Sequence, residues 1–166
     1  MKTIYSEKLP RILKSKKKLE KELNIRITNR GKEVSIQGNP EDEYIAEKVI
    51  DALNFGFPFT AALAIKKEDF LFERINIKDH TKRTDLERIR ARIIGRGGKT
   101  LKTLCTLTKC FLELKDNEIG VIAPPESVAN AQGAIISIIK GSKQSNVYKL
   151  LERRQTRPIL DLGLKE

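Results

Sequence analysis

The chain has 166 residues, and its 33 Lys and Arg exceed its 22 Asp and Glu to give a net charge of +11. A mean hydropathy of −0.40, no apolar run near the ~18 residues of a spanning helix, and a polar start (Met1–Lys8) with no secretory pattern argue for a soluble, cytoplasmic protein. Two cysteines and one histidine exclude a disulfide scaffold and leave little for metal binding or nucleophilic catalysis, whereas the basic excess calls for a polyanionic partner.

In chain order, Lys8–Arg26 carries eight basic residues against Glu20 and Glu22. Ile25–Thr28 and Glu33–Gln37 alternate apolar and polar around the turn Asn29-Arg30-Gly31-Lys32, which predicts a β-hairpin. Asn39 is placed to cap a helix that has Pro40 at its first position and Glu41, Asp42 and Glu43 at its positive end, with the stripe Ile45, Val49, Ile50 and Leu53 facing inward. Phe55–Lys67 reads as a connector, helical through Thr60–Ile65, and Phe70–Lys78 as a strand with Leu71, Glu73 and Ile75 on one face. Lys82–Lys109 is again basic, with nine positive residues against Asp85 and Glu87. Within it Asp85 caps a helix with Leu86, Ile89 and Ile93 inward, Gly95-Arg96-Gly97-Gly98 breaks that helix, and Lys99–Thr108 restarts one. A second hairpin follows at Phe111–Leu114 and Glu118–Ile122. Then come a helix opened by Pro124-Pro125-Glu126 with the stripe Val128, Ala131, Ile135, Ile138 and Ile139, and a basic terminal helix at Val147–Arg157 ended by Pro158, with Val147, Leu150 and Leu151 on one side.

The chain matches itself at an offset of 85 residues. Glu33-Val34-Ser35-Ile36 falls on Glu118-Ile119-Gly120-Val121, Leu19 on Leu104, Ile27 on Leu112 and Pro40 on Pro125; Ala46, Val49, Ile50 and Leu53 fall on Ala131, Ala134, Ile135 and Ile138. Shared apolar phase without a gap from Leu19 to about Leu53 means a shared set of inward positions, hence two copies of one fold.

Ile93-Ile94-Gly95-Arg96-Gly97-Gly98-Lys99-Thr100 carries the most chemistry. Although Gly98-Lys99-Thr100 ends like a P-loop, Ile93 stands where that motif needs a glycine, and a charged helix stands where it needs a buried strand. The better reading is the GxxG loop of a KH domain, which clamps single-stranded nucleic acid between two helices. Glycines at 95 and 98 let main chain approach a sugar-phosphate strand, and the following helix offers its N–H groups and positive end. Arg96 and Lys99 add charge, while Ile94 and Leu101, with strand residues near Cys110–Leu112, make an aliphatic groove for bases. The candidate RNA-binding set is Arg90, Arg92, Ile94, Gly95, Arg96, Gly97, Gly98, Lys99, Thr100, Lys102, Phe111 and Leu112. The first copy lacks the loop: its equivalent is Pro10-Arg11-Ile12-Leu13 at the fixed offset or, with about four residues deleted, Lys14-Ser15-Lys16-Lys17. His80 reads as a turn histidine, Cys105 and Cys110 as packing residues, and Asp79, Asp85 and Glu87 as cap and surface charges rather than a nuclease cluster.

These features give an α+β protein. Two tandem type I KH domains (βααββα), each a three-stranded sheet with helices on one face, occupy residues 1–57 (degenerate) and 70–142 (intact GxxG). Residues 58–69 connect them, and 143–166 form a basic C-terminal helix and tail. The sequence resembles the archaeal and eukaryotic KH-domain proteins of small-subunit ribosome assembly, the partner-of-Nob (Dim-two) family. The resemblance is carried by Gly56-Phe57-Pro58, the strand from Phe70 to Asp79, Arg88–Thr100, and the tail Val147-Tyr148-Lys149-Leu150-Leu151-Glu152-Arg153-Arg154. It implies binding to pre-ribosomal RNA near the 3′ end of the small-subunit rRNA and partnership with the Nob endonuclease on the pre-small-subunit particle, while the residues themselves call for no cofactor, no metal and no enzymatic activity. The alternatives left open are a KH accessory factor of the exosome or translation apparatus, and an RNA-processing enzyme.

Overall fold

The computed structural model describes residues 1–155. Contacts divide the chain into two compact units: Met1–Glu73 with Ile122–Pro124, and Arg74–Val121 with Pro125 onward.

The first unit opens with a strand that the sequence reading passed over, β1 (Lys2–Tyr5), too short for its alternation to register as a period. Two short helices, α1 (Leu9–Lys14) and α2 (Lys16–Leu23), precede the hairpin β2 (Arg26–Arg30) and β3 (Glu33–Gln37). The sheet has the order β1-β3-β2 and is antiparallel throughout, with Lys2 opposite Ile36 and Arg26 opposite Gln37. Val34 and Ile36 project into the core while their neighbours face water, as a strand's two-residue repeat requires. Helix α3 (Pro40–Phe55) lays Ala46, Val49, Ile50 and Leu53 on this layer. Asn39 makes no side-chain cap. Instead the Glu43 carboxylate reaches back to accept from the Gly38 N–H at 3.1 Å and pairs with the N-terminal amine at 3.1 Å. Those two partners hold the Glu43 carboxyl below the ordinary range.

Residues 58–69, expected as a connector, contain α4 (Phe59–Lys67), whose Ala61–Ile65 are buried in the first unit's core against α3. Five consecutive buried residues leave no polar face, so the helix is enclosed rather than linking. Phe55, Phe57 and Phe72 form a ring cluster with centroids 5.6–5.9 Å apart. The backbone turns into it at Gly56, where φ is +128°.

Strand β4 (Leu71–Asn76) forms a sheet of order β4-β6-β5 with β5 (Phe111–Lys115) and β6 (Glu118–Ala123), repeating the first sheet's order; the first half of β4 and the end of β6 are counted with the first unit. Ile75 is buried, but Leu71 and Glu73, expected on its face, are exposed. Helices α5 (Leu86–Ile94), α6 (Lys99–Thr108), α7 (Pro125–Ile139) and α8 (Gln144–Gln155) complete the second unit. Asp85 supplies only its carbonyl to the start of α5, accepting from the Arg88 and Ile89 N–H groups. Val147 and Leu151 bury α8 against α6 and α7, whereas Leu150 is exposed. The end of the basic helix at Arg157 and the break at Pro158 lie outside the described residues.

The 85-residue offset is kept element by element. Strands β2 and β5, strands β3 and β6, and helices α3 and α7 each begin 85 residues apart, and α2 and α6 end 85 apart. Both of those last helices stop on a left-handed residue, Asn24 at φ 53° and Lys109 at φ 56°. The next N–H in each case, Ile25 or Cys110, donates 3.2 Å back to the carbonyl of Glu20 or Cys105. Reversal of the chain by a left-handed cap fixes where the following strand starts, so the register survives through this corner.

Candidate nucleic-acid interface

The candidate site lies where α5 meets α6. Ile89 and Ile93 anchor α5 in the core, which leaves Ile94 at the helix end with a third of its surface open. Gly95 then stops the helix: its N–H donates to the Ala91 carbonyl at 2.8 Å, and its φ of 75° with ψ of 178° lies in a region that side chains do not tolerate. Space imposes the same choice, because a β-carbon at Gly95 would lie 2.6 Å from Thr100 Cβ and 2.8 Å from the Thr100 amide nitrogen. Thr100 is buried and acts as the wedge that sets this turn.

Arg96–Gly98 form one tight 3-10 turn, closed by the Gly98 N–H donating to the Gly95 carbonyl at 3.2 Å. Gly97 and Gly98 are left-handed (φ 57° and 76°), and nothing lies within 4 Å of where their β-carbons would be. Bare main chain therefore faces open space, the condition for a strand of sugar and phosphate to lie close. Helix α6 starts here without a side-chain cap and without an acidic residue in its first turn, so its own first turn brings no negative charge to its positive end. Arg96, Lys99 and Lys102 are exposed around it, and their side chains make no hydrogen bond or ion pair among the described residues.

The apolar side of the groove comes from α5, α6 and β5. Phe111 is 40% exposed on β5, Leu101 is half-buried on α6, and Leu112 is buried beneath the surface. Leu112 therefore offers little surface to a ligand. Cys110 is buried and Cys105 half-buried. Burial pushes both thiols up, so they stay neutral and packing-like.

Two of the arginines read as RNA contacts have protein partners. Arg90 donates to the Asp116 carbonyl at 3.2 Å and lies 3.9 Å from Glu87. Arg92 donates to the carbonyls of Ile138 at 2.9 Å and Ser142 at 2.5 Å, at the C-terminus of α7, while Gln144 Nε2 donates to the Arg92 carbonyl at 3.4 Å. A cation among terminal carbonyls is favourable there, and it fastens the end of α5 to α7. Nothing in the local sequence shows that α7 ends beside Arg92, since 46 residues separate the pair. His80 ends a 3-10 turn (Ile77–His80) and is half-buried. Among the described residues no group of three His, Cys, Asp or Glu could hold a metal ion, and no helix is long and apolar enough to cross a membrane.

The family model described as eukaryotic type KH-domain (KH-domain type I), for the second KH domain of PNO1, matches residues 71–156. Among curated proteins, the chain is 26% identical over 147 residues to the KH domain-containing protein MJ0443 of Methanocaldococcus jannaschii, covering 84% of this chain and 65% of that protein. It is 33% identical over 134 residues to the RNA-binding protein pno1 of Drosophila pseudoobscura pseudoobscura, covering 76% of this chain and 56% of that protein. The chain therefore spans between about half and two thirds of the length of these relatives. Among solved structures, Dim2p from Pyrococcus horikoshii superposes with a TM-score of 0.84 at 26% identity, covering 92% of this chain and 98% of that one. Dim2p in the a/eIF2alpha–aDim2p–rRNA complex from the same organism superposes with a TM-score of 0.83 at 26% identity, covering 93% of each chain. With the glycine turn, the repeated sheet order and these matches in agreement, the chain belongs to the PNO1/Dim2 family of KH-domain proteins.

Proposed function

We propose that this chain is a non-catalytic RNA-binding protein of small-subunit ribosome biogenesis. Its second KH unit clamps about four nucleotides of single-stranded rRNA or its precursor near the 3′ end. It acts in the cytoplasm on the pre-small-subunit particle, in partnership with the Nob endonuclease. In functional terms residues 70–142 are the intact clamp, 1–57 a degenerate copy, 58–69 the segment between them, and 143–155 the basic helix that braces the clamp.

The observation that carries this reading is the open main chain at Gly97 and Gly98, set at an α6 N-terminus that has no acid of its own. A phosphate there meets N–H groups, the helix dipole and the cations Arg96, Lys99 and Lys102, while Ile94 and Phe111 offer apolar surface to unstacked bases. Gly95 and Thr100 shape the turn, Leu112 offers little surface to the groove, and Arg90 and Arg92 lie just outside it. The naming of fly relatives as RNA-binding proteins and the rRNA in one structural neighbour support the same partner.

The test is binding of a fluorescent single-stranded oligonucleotide of the rRNA 3′ region to the protein and to an Arg96→Asp/Gly97→Asp variant. Both positions are exposed, Asp tolerates left-handed backbone better than most residues, and open space at Gly97 accepts its side chain. The expected result is a folded variant with affinity reduced at least about 100-fold, because two anions replace a cation and bare backbone at the phosphate site. An unchanged affinity overturns the clamp.

A further inference from the structure

The acid of this basic chain is concentrated in one stretch. Pro40–Glu73 carries eight Asp and Glu against three Lys, although the whole chain has a net charge of +11. The stretch forms α3, α4 and the start of β4. These three elements wall a groove of about 240 Å³, and every residue that lines it belongs to the first unit. Ile45, Ile65, Phe70 and Phe72 give it apolar walls that pack onto the unit's core. Two more of its lining side chains stay largely uncovered, Tyr44 at 57% and Leu71 at 42% exposure. The volume falls below the ~300–1,000 Å³ of small-molecule sites and suits one or two side chains of a peptide.

The lining also fixes the direction of the groove. Leu71, Phe72 and Glu73 are successive residues of β4, and all three line it. Successive side chains of a strand point to opposite faces, so a cavity shared by all three runs along the strand's edge. Strand β4 is the outer strand of its sheet, with β6 on one side and, among the described residues, no strand on the other. An open edge beside apolar surface is a template for an added strand.

Charge selects what is added. Asp69 and Glu73 are exposed, and their carboxylates make no hydrogen bond or ion pair among the described residues. Lys48, the lysine of the lining, lies over the Tyr44 ring, 5.5 Å from its centroid. An RNA strand would bring phosphates against two uncompensated carboxylates, whereas lysine or arginine side chains of a peptide would offset them.

We propose that this groove is the docking site for an extended, basic segment of a protein partner. The segment adds to the edge of β4, seats an apolar side chain between α3 and the strand, and sets its cations against Asp69 and Glu73. This goes beyond the RNA-binding reading and does not rest on it.

The test selects random peptides from a display library on the full-length protein and maps the enriched ones by the backbone amide shifts of the labelled protein. Expected are peptides that alternate Lys or Arg with large apolar residues and that move the amides of Tyr44 and Phe70–Glu73. Their affinity should fall about tenfold in an Asp69→Asn/Glu73→Gln variant. Both positions are exposed, and asparagine keeps the tolerance of left-handed backbone that Asp69 needs at φ 54°. Tyr44→Ala should weaken the same peptides about fivefold by removing an aromatic anchor. Methylating alternate amide nitrogens of an enriched peptide should abolish binding in one phase and spare it in the other, since only alternate N–H groups of an added strand face the edge. Enrichment of acidic peptides or of none, shifts confined to other residues, unchanged affinity in the carboxamide variant, or equal loss in both methylated phases overturns the proposal. Single-stranded RNA that moves the same amides would overturn it by making the groove a nucleic-acid surface. A dimer in sedimentation that Leu71→Arg dissolves would overturn it by making a second copy the occupant.

Discussion

At the second unit's helix–helix corner, three glycines hold positive φ; Gly97 and Gly98 leave main chain open to solvent, and a buried threonine packs against Gly95 and dictates the turn. The first unit turns the same corner with a single serine at φ −103°, whose N–H donates to the Ile12 carbonyl and whose carbonyl accepts from the Leu19 N–H. From that point on the two units run in step to the ends of their hairpins. The comparison teaches that the fold needs a corner there, but it does not need glycine. Gly95 is demanded from inside, by its backbone angles and by Thr100 packed against it, whereas Gly97 and Gly98 leave bare main chain in open space, so one corner separates glycine kept for packing from glycine that leaves backbone uncovered.

That separation can be broken in several ways, beginning with the largest effect. Gly95→Ala should destabilise the protein by about 3 kcal/mol, since the new methyl meets Thr100 in a backbone region closed to side chains; Ser15→Gly should cost less than about 1 kcal/mol. Urea unfolding of the two variants checks the contrast, and equal costs would mean that both corners are under the same strain. Next, Arg96→Asp/Gly97→Asp should lose about 2.7 kcal/mol of RNA binding, the equivalent of 100-fold, with a thermal midpoint close to that of the unmodified protein.

Arg92→Ala should lower stability by about 1–2 kcal/mol, because two carbonyls at the end of α7 lose their donor. Its salt slope for RNA should stay the same; a fall of about 0.7 would mean that the guanidinium also reaches a phosphate. The smallest effect is expected at the paired left-handed caps. Lys109→Gly should stabilise by about 0.5–1 kcal/mol by relieving positive φ on a side-chain-bearing residue, while Asn24→Gly should change stability by only a few tenths, because asparagine already tolerates that conformation.

Much of this architecture was legible in the sequence because the signals were periodic. The hairpin at Ile25–Gln37, the stripe of α3 and the whole of α7 follow from spacing alone, and the fixed offset carries one unit's assignment to the other. The features that escaped are those whose cause lies elsewhere in the chain. Lys-Thr-Ile-Tyr becomes β1 only because β3 has an edge to pair with. Ala61–Ile65 looks like a link until α3 is seen packed against it. Asn39 and Asp85 stand at helix starts, yet neither side chain caps its helix; each contributes its carbonyl instead. At the site, the glycine turn and its cations were readable as a motif, whereas the partners of Arg92 required knowledge of where a helix 46 residues away comes to an end.

Helix α8 has a practical bearing on any attempt to isolate the clamp. Gln144, at its start, donates to the carbonyl of Arg92 beside the glycine turn; Arg154, near its end, donates to Asn130 of α7 at 2.7 Å, and Gln155 donates to the Leu107 carbonyl in the last turn of α6. The helix is thus riveted to both arms of the clamp and to the element behind them. A fragment truncated at Ser142, where the sequence-based boundary would tempt one to cut, would strip Val147 and Leu151 from α6 and α7. The shortest piece that keeps the turn in shape should extend through Gln155.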